Sequence, residues 1–171
     1  MASNNKVLAG LFVLLFAGFV YTIHDMFEQH VVEAGETAPS FSVTTESGQK
    51  ISTKEFGGKL LVLNFWATWC PPCVEEMPSL NRFAQTMASQ GVVVLGVSID
   101  KNADAYKRFL AKNRLAFLTF RDPDENISSS YGTFKWPETY VIDKSGKVVQ
   151  KYIGPRDWGD PQIVNSVKAL L

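Results

Sequence analysis

Cysteine and histidine are scarce in this sequence, with two of each among 171 residues. The histidines, His24 and His30, sit six apart in a short acidic stretch. That spacing fits no common metal-ligand pattern, so they read as interfacial residues, and neither a metal nor a cofactor is expected. An excess of charge is also missing. Seventeen basic residues balance seventeen acidic ones, for a net charge of zero and an isoelectric point near 6.7. With no basic patch either, nucleic acid is not an expected partner. What is abundant is apolar material, 46% of the residues, enough for one well-buried domain and an appendage.

Charge is absent altogether from residues 7–23, which are dominated by Leu, Phe, Val, Ala and Gly. At about 1.5 Å per residue such a run reaches roughly 26 Å, a short but sufficient membrane span. Lys6 precedes it, and no Lys or Arg follows until Lys50, whereas Asp25, Glu28, Glu33 and Glu36 do. The asymmetry of basic residues assigns 1–6 to a cytoplasmic tail and everything after 23 to the outside of the inner membrane, in the periplasm or its equivalent. A cleaved signal peptide competes with this reading. A single Lys in the leading segment and no small-x-small site at the end of the run favour an uncleaved signal-anchor in the lipid bilayer. Residues 24–38, polar and without a strong period, read as a linker, and 39–171 as the domain.

Both cysteines lie in Asn64-Phe65-Trp66-Ala67-Thr68-Trp69-Cys70-Pro71-Pro72-Cys73, where a β-branched apolar run, 60–65, gives way to a helix-period pattern. At the first turn of a helix, unpaired N–H groups and the positive end of the dipole stabilise a thiolate at Cys70. Cys73, one turn along on the same face, is placed to close a disulfide with Cys70 after Cys70 has attacked a partner. That is the geometry of thiol–disulfide exchange. Pro71 and Pro72 carry no N–H, which leaves the amide of Cys73 as the main donor to the Cys70 sulfur. A less stabilised thiolate disfavours the dithiol form and leans towards a reductant.

On the helix that follows, Cys73, Met77, Leu80, Ala84 and Met87 recur at helical spacing, and Glu76 falls on that inward stripe. Glu75, Ser79, Arg82 and Thr86 form a polar stripe, with Glu75 a surface charge. A carboxyl directed inward would have its pKa raised by desolvation and could exchange a proton with Cys73. Spacing alone leaves open whether Glu76 instead snorkels to the surface or forms an ordinary ion pair. Pro78 inside the helix is expected to kink it.

These residues resemble the thioredoxin superfamily, and the run from Asn64 to Cys73 looks specifically like the membrane-anchored thiol–disulfide oxidoreductases of the TlpA/ResA/CcmG type. Cytoplasmic thioredoxins have a buried aspartate where this chain has Asn64. The anchored reductases carry a glutamate three residues after the second cysteine, and Glu76 matches it, so the resemblance implies a proton-shuttle role there. It also implies reduction of disulfides in exported proteins, apocytochromes c or copper-site assembly proteins among them, with electrons from a membrane donor of the DsbD/CcdA kind.

The remaining pattern predicts a hairpin from 39–43 and 49–52, strands at 60–66, 92–99 and 117–120, helices at 72–89, 103–113 and 160–170, a helical turn at 127–131, and a hairpin from 138–143 and 148–153. The fold class is therefore α/β, a mixed central sheet with helices on both faces, which the resemblance implies is thioredoxin-like, preceded by one N-terminal transmembrane helix. Residues 103–120 form an extra αβ unit after the strand that follows the catalytic helix, an insertion shared with the anchored family. By the same resemblance Pro137 matches the cis-proline that faces the CxxC pair. Trp136 either joins Trp69 as an apolar docking surface for substrate or merely packs; Trp66 reads as core. Three rivals to the reductant are a periplasmic oxidase of DsbA type, with the opposite direction, a peroxidase and a copper carrier. A peroxidase would need proline seven residues before Cys70, where Leu63 stands, and a copper carrier would need a histidine nearby, yet none follows His30.

Overall fold

The computed structural model describes residues 2–27 and 30–171, which divide into two units, Met1–His30 and Val31–Leu171. In the first, α1 (Ala2–Phe27) is one continuous helix of 26 residues, and Leu11, Phe12, Val13, Leu14, Leu15 and Phe16 on it are all exposed. Among the described residues no helix is long and apolar enough to cross a membrane.

The second unit is built on β3 (Leu60–Trp66), whose seven residues are all buried. A strand covered on both faces needs apolar side chains in both directions, and Leu60, Leu61, Val62, Leu63 and Phe65 supply them. It pairs in parallel with β4 (Val92–Ser98), which pairs in parallel with β5 (Leu118–Arg121). On its other side it runs antiparallel to β6 (Glu138–Asp143), which pairs antiparallel with β7 (Val148–Ile153). The sheet order β5-β4-β3-β6-β7 is therefore mixed, as expected. The extra unit, α3 (Ala103–Asn113) with β5, adds the parallel edge strand.

Two cores lie on the two faces. On one, α2 (Pro71–Ala88) sets Cys73, Met77, Leu80, Phe83, Ala84 and Met87 against Val62, Val94 and Val141, joined by Tyr106 of α3 and Val167 of α5 (Pro161–Lys168). On the other, the small antiparallel sheet of β1 (Ser42–Thr44) and β2 (Lys50–Ser52) and the short α4 (Asn126–Ser130) cover Leu61, Leu63, Phe65 and Tyr140. Helices thus lie on both faces, but unevenly. The helix α2 continues as one element through Pro78.

Two expectations need correction. The linker does not extend to Ala38: Val32 and Ala38 are buried, and the N–H groups of Val32, Gly35 and Ala38 donate to Tyr131, Val148 and Gly146. An ion pair fixes the same segment. Lys151 Nζ, itself buried, lies 2.9 Å from Glu33 and 3.2 Å from the fully buried Glu138. Ser79 is not on a polar stripe either, since it is buried and hydrogen-bonded to the loop before α5.

Gly96 of β4 marks the closest approach in the first core. A Cβ there would sit 3.0 Å from Trp66 Nε1 and 2.9 Å from Phe117 Cε2. Gly96→Ala should cost about 1–3 kcal/mol by overpacking, read as a lowered denaturant midpoint with unchanged slope; a midpoint like that of the wild type would show that the two rings give way freely.

Candidate active site

The strand-to-helix junction puts Cys70 at the N-cap of α2, with extended backbone (φ −98°, ψ 102°) and prolines at the first two helical positions. Those prolines suit the start of a helix, where a missing N–H breaks no helical bond. The consequence is that the amide of Cys73 donates to Cys70 Sγ at 3.3 Å as the helix's one cap to that side chain. Cys70 and Cys73 form a disulfide with their Cα atoms 5.3 Å apart, so the structure shows the oxidised pair. Cys73 is fully buried and Cys70 6% exposed, so attack from outside is possible only at Cys70.

One turn behind Cys73, Glu76 is 4% exposed and points inward, which settles the choice that spacing left open. Its Oε1 accepts from Asn64 Nδ2 at 2.8 Å, and its Oε2 from the Arg156 N–H at 3.0 Å and Trp158 Nε1 at 3.4 Å. Burial raises its pKa from the ordinary 4.5, and these donors and the Arg156 charge offset only part of the rise. A surface cleft of about 390 Å³ between α2 and the turn at Pro155, Arg156 and Asp157 reaches Glu76 from the side. Asn64 Nδ2 also donates to Thr139 Oγ1 at 2.9 Å, tying β3 to β6 beneath the site.

Trp69, 60% exposed, meets the half-buried Trp136 edge to face, with ring centroids 6.2 Å apart. The Trp136–Pro137 bond is cis, as the resemblance implied, and the tryptophan contact brings that loop beside the cysteines. Trp136 packs against the two cores and also meets the Trp69 ring. Trp66 is core. Among the described residues no group of three or more His, Cys, Asp or Glu is placed to hold a metal ion.

Sequence reasoning missed Arg156 and Trp158. They stand about 80 positions from Glu76 and carry no local signal, because a backbone N–H and an indole are recruited only when the loop before α5 folds back over α2. Ser79 was misplaced for the same reason: its hydroxyl donates to the Glu76 carbonyl and accepts from the Trp158 N–H.

The family model for AhpC/TSA proteins matches residues 34–151, which hold both cysteines, Glu76 and Pro137. The chain belongs to the AhpC/TSA family. Within it, the chain is 34% identical over 157 residues to the thiol-disulfide oxidoreductase ResA of Bacillus cereus, covering 90% of this chain and 91% of that one. It is 31% identical over 154 residues to the thioredoxin-like protein YneN of Bacillus subtilis, covering 87% and 90%. Among solved structures, a thioredoxin-family thiol:disulfide interchange protein from Chlorobium tepidum superposes with a TM-score of 0.68 at 31% identity, over 82% of this chain and all of that one. The fold of this AhpC/TSA protein is thus thioredoxin-like.

Between 4.5 and its raised folded value, Glu76 holds a proton that the unfolded chain has released, so its contribution to stability is greatest below 4.5 and declines as pH rises through the folded value. Glu76→Gln cannot ionise. Denaturant unfolding of the oxidised proteins should therefore show wild type losing stability relative to the variant between about pH 4 and pH 8. A difference that stays flat over that range would mean that the carboxyl titrates normally.

Proposed function

We propose that this protein is a membrane-anchored, extracytoplasmic thiol–disulfide oxidoreductase that reduces disulfides in exported proteins. The observation that carries this reading is Glu76, a carboxyl buried one helical turn behind the inaccessible Cys73, with its pKa raised by that burial. In the dithiol form, the Cys70 thiolate attacks one sulfur of a client disulfide. The client S–S bond breaks, its other sulfur leaves as a thiolate that takes up a proton, and a Cys70–client disulfide forms. Cys73 then passes its proton to Glu76 and attacks Cys70 Sγ. The client's second sulfur leaves and is protonated in turn, and the enzyme keeps the Cys70–Cys73 disulfide. Two electrons and two protons pass to the client. The cleft beside Glu76 returns its proton to solvent while the client covers Cys70.

Direction follows from the donors. With Pro71 and Pro72 at the helix start, the Cys70 sulfur has the Cys73 amide as its cap, which supports a poorly stabilised dithiol and hence a reductant rather than an oxidase of DsbA type. Trp69 and Trp136 offer the apolar surface on which a client strand docks.

Residues 7–23 anchor the protein as a signal-anchor in the inner membrane, with the domain in the periplasm or its equivalent. The support is their freedom from charge and, among the described residues, the exposure of Leu11, Phe12, Leu14, Leu15, Phe16 and Phe19 within them. That compartment is oxidising, so the spent disulfide needs electrons relayed through the membrane, from a donor of DsbD/CcdA type. By the family resemblance the clients are apocytochromes c or copper-site assembly proteins.

Equilibrating the full chain against a graded thiol buffer should give a potential at or below about −270 mV. A value near −120 mV would make the protein an oxidant, and a pair that never exchanges would be a structural disulfide. Cells expressing the chain fused to alkaline phosphatase should show phosphatase activity in the membrane fraction, and deletion of residues 7–23 should abolish it; activity that survives the deletion would contradict the anchor.

A further inference from the structure

Asp100, just beyond the C-terminal end of β4, is 1% exposed and spends both carboxylate oxygens close to one residue. Its Oδ2 accepts the Thr68 backbone N–H at 2.9 Å and its Oδ1 the Thr68 hydroxyl at 2.6 Å. Ser98 Oγ donates to Oδ2 at 2.6 Å and accepts the Asp100 N–H at 3.1 Å, while Arg121 Nη1 donates to the Asp100 carbonyl at 3.2 Å. The carboxylate is thus fixed from its own side by β4 and β5. What it holds is the turn closed by the Cys70 N–H on the Ala67 carbonyl at 3.3 Å, with Thr68 and Trp69 inside it. Trp69 is 60% exposed, so little apolar burial holds this turn in place. Two charge-assisted bonds do so instead.

We propose that Asp100 is a positioning residue for client recognition, holding the Thr68–Trp69 turn so that the Trp69 ring and the Cys70 sulfur meet an extended client segment in one fixed arrangement. This rests on the exchange chemistry assigned to Cys70. The physical gain is pre-organisation: a docking side chain on a turn already fixed loses less conformational freedom when a partner binds. A small disulfide that touches only the sulfur draws no benefit from Trp69. Asp100 therefore separates polypeptide disulfides from small ones rather than setting the reactivity of the pair itself.

The test uses the reduced full chain with two oxidants, a disulfide-cyclised peptide carrying six-residue flanks on each side and oxidised glutathione. Thr68→Val keeps the shape of the side chain and loses only the hydroxyl bond; Asp100→Asn weakens both bonds. In each, the ratio of the two second-order rate constants, peptide over glutathione, should fall, by about threefold in Thr68→Val and about tenfold in Asp100→Asn. Because both remove parts of one interaction, the double variant should fall no further than Asp100→Asn. A ratio that stays at the wild-type value in Thr68→Val and in any folded Asp100→Asn protein, whatever the absolute rates, overturns the proposal. So does a double variant in which the two effects simply multiply. A wild type that reduces neither oxidant would instead overturn the exchange reading on which the proposal rests.

Discussion

A carboxyl taken out of water must find donors or keep its proton, and Glu76 does some of each. Its two oxygens join three parts of the chain: the middle of β3 through Asn64, its own helix α2, and the loop that leads into α5 through Arg156 and Trp158. Asn64 extends the tie to β6 through Thr139. Asn64 thus bonds both to Glu76 and to the strand that begins just after cis-Pro137. Removing the carboxyl would disturb architecture and chemistry together, which is why the pH dependence, and not the size of the loss, distinguishes the two.

The site divides its labour by exposure. Cys70 is the reachable sulfur, Cys73 the sealed one, and Glu76 sits deeper on the same helix with a cleft of its own. This arrangement lets the resolving step lose a proton without a path through the client. Asn64 stands where cytoplasmic thioredoxins place an aspartate, and here that strand residue donates to the buried carboxyl of the helix.

Much of this was legible because it is local. The run of Leu, Val and Phe before Trp66 has the composition of a doubly covered strand, and the spacing from Cys73 to Met87 lays out the buried face of α2. The turn at Lys144-Ser145-Gly146 separates β6 from β7 where expected. What the pattern concealed depends on partners distant in sequence. Residues 31–38 read as a polar linker because their burial is earned by backbone bonds to Tyr131, Gly146 and Val148 and by the Glu33–Lys151 pair, none of which leaves a hydrophobic period. Ser79 reads as a surface residue because the loop at Trp158 that covers it lies far along the chain, and Asp100 was passed over because its bonds to Thr68 span 32 positions.

The central claim is that Glu76 exchanges a proton with Cys73 during resolution. Carboxyl-carbon NMR of the full chain, titrated with pH in the disulfide and dithiol states, tests it directly. The account predicts a Glu76 midpoint above 4.5 in the disulfide state and a displaced, two-step titration in the dithiol state, as interacting groups must show. A single midpoint near 4.5 that ignores the redox state would contradict it.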